Sequence, residues 1–540
     1  MTVLLSMPEL LARHASQRPD DIAFIDGGRE VTYREFHLLC RKTAVWLAGQ
    51  GIRPGDKVAV WLVNRIEWLA LYFGLAHVGA ALVTVNTRYR SHELEYLLER
   101  SQAKLLVLEL NFRKIDFPAV LADVRPAAAA ALLRVAVVNA AGELPPSVLG
   151  KPTTSLNLAG LPDGDLPVAG GPDSLSILFA TSGTTSGPKL VMHPQRTIAM
   201  HSQRVAQAYG FMEEGACLLA TLPFCGVFGF NAAFAAFAAG KPVVLMDTFD
   251  GAEAAALINQ HKVTHVFGSD ELFRRIFDHG AGPAPFPSAR VFGFASFHPG
   301  AGDLGRDAWD RRIPMYGLYG SSEVQALFSI QRPGTPIPQC LLGGGLPASA
   351  SARIRIRDVE TGELLPLGQS GVIQIRADTN FTGYLDNQEA TDKAIDREGF
   401  FNTGDIGYLC EDGSFVYQTR QGDALRLAGF LVNPVEIEDA LKQQAGVCNA
   451  QVVGVDINSQ ARCVAFVVAQ PGQALDEQQL IAGLAQSLAA FKVPARVWVV
   501  DAFPVADGSN GAKIQRGKLR EMAMRRLTQA SQEQGQGLAT

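Results

Sequence analysis

Read for the spacing of apolar and polar positions, the chain alternates short apolar runs with longer amphipathic ones. Apolar runs at 57–63, 81–85 and 104–108 predict buried strands, and the stretches 67–78 and 92–101 between them predict helices. That alternation predicts a parallel sheet covered on both faces. Ahead of it, helical spacing marks 10–16 and 33–49, with a hairpin-like stretch at 23–31. Residues 118–172 are rich in Ala, Pro and Gly and read as a connection carrying one helix and one strand. A second α/β unit opens near 176, with a helix at 197–208 and strands at 217–221, 242–246, 263–267, 290–294 and 314–318. After 341 come short strands at 352–357, 371–376 and 414–417, the texture of a small β-rich subdomain. A last unit has helices at 434–443 and 477–490 and strands at 450–455, 463–469 and 496–500. The Gly/Gln-rich end after Gln529 reads as disordered.

Composition sharpens this picture. At 540 residues the chain exceeds one ordinary domain, and 47% hydrophobic with 19% charged residues suits a large core. A formal charge of −5 gives no reason to expect nucleic acid as a partner. The seven cysteines are scattered and never form Cys-x-x-Cys, which predicts a reducing cytoplasm without structural zinc or disulfides. The opening Met1-Thr-Val-Leu-Leu-Ser-Met-Pro lacks a basic flank and a long apolar core, so no secretion signal is expected. Residues 218–240 hold 23 positions without a charge, long enough to span a bilayer. Pro223, Gly226, Gly229 and Asn231 interrupt them, which favours a buried strand, turn and helix.

Candidate chemistry centres on Thr181-Ser-Gly-Thr-Thr-Ser-Gly-Pro-Lys189, placed between two apolar runs. Backbone N–H groups of such a loop converge on phosphate oxygens, and Thr181, Ser182, Thr184, Thr185, Ser186 and Lys189 add hydroxyls and charge. It is not a Walker loop, which needs four residues between its glycines followed by Gly-Lys-Ser/Thr. A polar surface loop is the bland alternative. The stretch closely resembles the phosphate-binding loop of the adenylate-forming superfamily, Thr-Ser-Gly-Thr-Thr-Gly-X-Pro-Lys-Gly. Ser186 and Leu190 replace two of that pattern's glycines, while Gly183 and Gly187 supply flexibility.

Further motifs occur in the order the superfamily uses. Tyr319-Gly-Ser-Ser-Glu323 resembles its Tyr-Gly-X-Thr-Glu, with Ser322 keeping the hydroxyl. The resemblance implies that Tyr319 borders adenine and that Glu323, with Thr184, holds Mg²⁺, a hard ion suited to oxygen ligands. Thr403-Gly-Asp405 matches the ribose-binding Thr-Gly-Asp, and Gly383-Tyr384 and Gly399-Phe-Phe-Asn402 match the pattern around it. Arg420-Gln-Gly-Asp423 resembles the domain junction, where Arg420 also reaches the ribose and Gly422 stands at the hinge in place of Asp or Lys. Near Lys513 the chain resembles the C-terminal motif whose lysine contacts substrate carboxylate and α-phosphate, with Ala512 replacing a glycine. The surface alternative is a basic helix start. Gly429 and Phe430 are implied beside the CoA path. The acid pocket is implied at Cys225, Phe228, Phe230, Ala295 and Gly320. Amino-acid-activating relatives carry an aspartate near Cys225 and acetate-activating relatives a tryptophan at Gly320, so an open, apolar pocket is expected here. Core packing would explain the phenylalanines Phe228, Phe230, Phe234 and Phe237 equally well.

The resemblance therefore implies an α/β fold. A large N-terminal AMP-binding domain (1–420) would hold two α/β sheet subdomains and a small β-rich one, followed by a small mobile α+β domain (421–528) and a disordered tail (529–540). It implies an ATP- and Mg²⁺-dependent acyl-CoA synthetase that forms acyl-AMP and pyrophosphate, then acyl-CoA and AMP. Lys513, Glu323 and Lys189 would be its catalytic residues. A carrier-protein thiol as acceptor in place of CoA, a homodimer, and a catalytically silent ligand-binding relative stay open at this point.

Overall fold

The computed structural model describes residues 5–112, 115–138, 143–181, 188–295, 301–337, 339–359, 361–420, 425–428, 430–432, 434–457, 460–508 and 511–536. The chain divides into two compact units, one of 1–87, 94–181 and 189–421, the other of 88–93, 182–188 and 422–540.

In the first unit, helix starts follow local capping chemistry. Ser6 with Glu9 and Thr32 with Glu35 form capping boxes that begin the helices Met7–Gln17 and Tyr33–Gly49. An eight-stranded sheet has Lys57–Trp61 at its middle, flanked in parallel by Ala81–Thr84 and Leu105–Leu108. Leu175–Thr181 extends this same sheet in parallel from Ala81–Thr84, and Lys189–Pro194 closes the edge antiparallel to it. The strands on either side of the phosphate loop therefore belong to the first sheet rather than opening the second. The two strands pair with each other, and Leu175–Thr181 pairs in parallel with Ala81–Thr84. The 118–172 connection adds a helix, Phe117–Ala122, and three strands, Arg134–Val138, Ser147–Val148 and Lys151–Leu156, instead of one.

The second sheet has thirteen strands. Its parallel part runs through Val243–Leu245, Leu218–Ala220, His265–Ser269, Val291–Ala295 and Met315–Ser321. Met315–Ser321 then turns into Gln325–Ile330, and the strands of the β-rich region, including Phe401–Leu409 and Phe415–Arg420, continue the sheet antiparallel.

Two helices, apolar on nearly every side, fill the space within this unit. In Ile66–Val78 every residue except Glu67 is buried. Val227–Ala238 lays Phe230 and Phe234 on Tyr72, at 5.2 and 4.9 Å between ring centres, and Phe237 on Phe73 at 5.0 Å. The uncharged stretch 218–240 is thus a strand, a turn and a twelve-residue core helix. Among the described residues no helix is long and apolar enough to cross a membrane.

In the second unit, Pro434–Lys442 and Glu477–Ser487 pack on a sheet of Val447–Ile457, Gln460–Ala469 and Val497–Val499. A hairpin of Val505–Gly508 and Gly511–Ile514 leads into the helix Arg516–Gln536. That helix takes in 529–536 of the stretch expected to be disordered, its Gln, Glu and Ala residues being good helix formers, and 537–540 lie outside the described residues. Cys40, Cys217, Cys225, Cys340 and Cys463 are buried, and Cys448 is exposed. Burial pushes the Cys217 and Cys463 thiols up to about 12.

Four buried histidines in the first unit, His14, His193, His201 and His265, have pKa values lowered from 6.5 to about 4, chiefly by burial. His14 lies between the rings of Tyr33 and Phe237, where Arg18 and Arg13 also oppose its charge. The folded state therefore favours neutral imidazole. The stability this gives is present above the unfolded value of 6.5 and is lost as pH falls toward about 4. Each histidine contributes up to about 1.4 kcal/mol per pH unit within that window. The urea midpoint should fall steeply between pH 6.5 and 4.5, and His14→Phe should flatten that slope; an unchanged slope in the variant would refute the assignment.

Candidate active site

The site grows from the turn between Met315–Ser321 and Gln325–Ile330. Tyr319 and Ala295 lie at the carboxyl ends of neighbouring parallel strands, the end of an α/β sheet where ligands bind. The turn is tight and strained. Gln325 and Leu327 hold left-handed φ values of +67° and +61°, each costing on the order of 1–3 kcal/mol. A buried polar network offsets that strain. Gln325 Nε2 donates to the carbonyls of Thr197 (3.0 Å) and Thr379 (2.9 Å). Asn231 Nδ2 donates to Gln325 Oε1 at 3.0 Å, and the Ala326 N–H donates to Asn231 Oδ1 at 2.9 Å. His193 and His201, each through Nε2–H, donate to the carbonyls of Ser322 and Ala326 at 2.7 Å. A carbonyl only accepts, which fixes the tautomer of both rings.

Two of the expected site side chains leave this turn toward different partners. The Tyr319 hydroxyl donates to Asp405 Oδ2 at 2.6 Å, while its ring meets Phe415 edge-on at 5.2 Å. Asp405 is 2% exposed, its N–H donates to Thr403 Oγ1 at 3.0 Å, and it sits opposite Arg420 in the ladder of Phe401–Leu409 and Phe415–Arg420. Glu323, by contrast, accepts from the Tyr384 hydroxyl at 3.0 Å, and Lys189 Nζ stands 4.6 Å from the centre of the Tyr384 ring. Lys189 pairs with Thr181 across the loop hairpin. Tyr319, Glu323, Asp405, Lys189 and Thr181 are thereby linked within one unit.

No group of three or more His, Cys, Asp or Glu side chains among the described residues could hold a metal. A single carboxylate such as Glu323 fits Mg²⁺, which takes one or two protein carboxylates and leaves its other positions to water and phosphate.

A family model described as AMP-binding enzyme matches residues 11–385, and a model of the AMP-binding enzyme C-terminal domain matches 436–507. The chain belongs to the AMP-binding enzyme family. As a member it is an AMP-forming acid–thiol ligase that uses ATP, Mg²⁺ and CoA. It is 31% identical over 541 residues to a 7a-methyl-1,5-dioxo-octahydro-1H-inden-4-yl-propanoyl:CoA ligase of Rhodococcus jostii, covering 95% of this chain and 98% of that protein. To a 2-succinylbenzoate–CoA ligase of Geobacillus kaustophilus it is 30% identical, with coverage of 93% and 95%. The fold is similar to that of o-succinylbenzoate CoA synthetase from Bacillus subtilis, with a TM-score of 0.81, 22% identity and coverage of 96% and 99%.

Several expected site residues of this AMP-binding enzyme lie outside the described residues: Ser182, Gly183, Thr184, Thr185, Ser186 and Gly187 in the loop, Gly422 at the hinge, and Gly429. The backbones of Arg420, Phe430 and Lys513 are in strands, Lys513 opposite Ala506 in a hairpin and not at a helix start. Arg516, which opens the next helix, is tied to Glu438 at 2.8 Å and to the Val452 carbonyl at 3.0 Å. Around the expected acid pocket, Cys225 is buried and Phe228 and Ala295 are half-buried, whereas Phe230, Phe234 and Phe237 belong to the aromatic core.

The open space expected at Gly320 is absent. A Cβ there would stand 2.5 Å from Ala326 Cα and 2.7 Å from the Gln325 carbonyl oxygen. Glycine is needed because two backbones meet, so a side chain at 320 would deform the turn before it could shape a pocket. Gly320→Ala should cut kcat/KM for every acid by a similar factor and lower Tm, and a selective loss of long acids would instead restore the pocket reading.

Proposed function

We propose that this ligase activates an apolar carboxylic acid carrying a ring, with Asp405, Glu323, Lys189 and Lys513 as its adenylating groups. The observation that carries the role assignment is the linked pair of bonds, Tyr319 to Asp405 and Tyr384 to Glu323, at either end of one strained turn. The acid class is supported by the apolar, half-buried Phe228 and Ala295 at the expected pocket and by the rings in the acids named for the Rhodococcus and Geobacillus relatives. Nothing charged follows Cys225 within that segment to pair with a substrate amine.

In this reading Asp405, oriented by the Tyr319 hydroxyl, accepts the ribose hydroxyls, work suited to an ionised carboxylate. Lys189 and the hydroxyls of 181–186 take the phosphate oxygens. Glu323, with Thr184, would hold Mg²⁺, which when bound neutralises phosphate charge. The substrate carboxylate attacks the α-phosphorus; the bond to pyrophosphate breaks, and Lys513 offsets the negative charge that develops. The CoA thiolate then attacks the acyl carbon, the acyl–AMP bond breaks, and AMP leaves. The thiol belongs to the co-substrate, so no protein cysteine takes part, which suits a chain whose cysteines are mostly buried and a cytoplasmic setting.

Pyrophosphate release should be measured with straight-chain acids, cinnamate-like acids and fused-ring acids, with and without CoA. The highest kcat/KM should fall on ring-bearing acids, each further buried methylene adding about 0.8 kcal/mol, roughly fourfold. Preference for acetate or an amino acid would overturn the acid class, and thioester formed only on a carrier protein would overturn CoA as acceptor. Lys513→Ala should abolish acyl-AMP formation while sparing CoA attack on acyl-AMP supplied ready-made; an undiminished adenylation rate would remove Lys513 from the mechanism.

A further inference from the structure

Tyr384 is joined to both charged groups on the phosphate side of the site, although nothing above gives it a task. Its hydroxyl donates to Glu323 Oε1 at 3.0 Å, and its ring carries Lys189 Nζ at 4.6 Å from the centre. The backbone around it is bound to the same two places. Leu385 N–H donates to the Leu190 carbonyl (2.9 Å), and Met192 N–H to the Gly383 carbonyl (3.0 Å), so the segment runs beside Lys189–Pro194. Phe381 N–H donates to the Glu323 carbonyl at 2.7 Å, which ties the segment to the turn as well. Gly383 bends the chain between these anchors at φ +143°, and the Tyr384 N–H is held by Thr391 Oγ1 at 3.0 Å. Tyr384 itself is 5% exposed and packs on Phe381 at 4.9 Å. Packing alone would be served by phenylalanine; the hydroxyl has a carboxylate as its partner.

We propose that Tyr384 is a positioning residue for adenylation. Its hydroxyl fixes the Glu323 carboxylate in one orientation for the metal, and its ring face holds the Lys189 ammonium toward the phosphates. This rests on the roles given above to Glu323 and Lys189. One rigid side chain then sets the distance between the metal ligand and the loop cation, which two separately mobile side chains would leave variable.

Tyr384→Phe removes the bond to Glu323 and keeps the ring under Lys189; Tyr384→Leu removes both. Mn²⁺ in place of Mg²⁺ is followed by EPR on the enzyme holding a non-hydrolysable ATP analogue, beside Tm, and kcat and KM from pyrophosphate exchange. Tyr384→Phe should weaken Mn²⁺ binding by about tenfold or more, the usual effect of removing a partner of a metal ligand. Its kcat should recover at high metal, with Tm and KM for the acid near wild type. Tyr384→Leu should in addition raise KM for ATP. Glu323→Gln separates the two layers of the argument. If it weakens Mn²⁺ binding and Tyr384→Phe does not, the positioning role is overturned and the metal role of Glu323 stands. If Glu323→Gln leaves Mn²⁺ binding at wild type, the Glu323 reading falls and the Tyr384 role with it. A Tyr384→Phe loss that added metal cannot rescue, accompanied by a lowered Tm, also overturns the proposal.

Discussion

A polypeptide that turns back on itself inside a protein must find donors for carbonyls that water cannot reach. The turn between Met315–Ser321 and Gln325–Ile330 meets this demand with two imidazoles, one carboxamide pair and a glycine. His193 serves Ser322 and His201 serves Ala326, so the donors bracket Glu323 on both sides. The imidazoles do this in the neutral state that burial already favours. The left-handed residues Gln325 and Leu327 are tolerated because Asn231 and two backbone carbonyls hold Gln325 in place.

From that turn the order spreads outward through single hydrogen bonds. Tyr319 passes it to Asp405 and so to the antiparallel strands, and Glu323 passes it through Tyr384 to the strand that begins with Lys189. The two sheets of the first unit are thus connected at the place where nucleotide chemistry is expected. Asn231 extends the same network into the core helix Val227–Ala238. The helix that packs Phe230 and Phe234 against Tyr72 also steadies the turn, so core packing and site geometry share one element.

How much of this was legible in the sequence depends on how far apart the partners stand. The strands of the first sheet follow from local apolar runs, and the helix starts at Met7 and Tyr33 follow from capping residues three positions apart. Lys189, Glu323 and Asp405 were visible because each sits in a short motif. Tyr384 was seen only as part of a pattern, because its partner Glu323 is 61 residues away. His193 and Ser322 are 129 apart, and Asn231 and Gln325 are 94 apart, and no spacing rule spans such gaps. Gly320 was misread for a different reason: one glycine stands equally for empty space and for crowded backbone. The last helix was missed because its Gly and Gln content resembles that of a loose tail, although it continues through Gln536.

The burial of the cysteines has a meaning that depends on what the enzyme makes. Its product is a thioester, a compound that hands its acyl group to any available thiolate. Cys40, Cys217, Cys340 and Cys463 are enclosed, and burial drives their thiols toward the protonated state. Apart from Cys225, expected at the acid pocket, the cysteines open to product from solution are the outward-facing Cys448 and the partly covered Cys410. An enzyme bathed in activated acyl groups of its own making is thus protected by where its sulfur is kept.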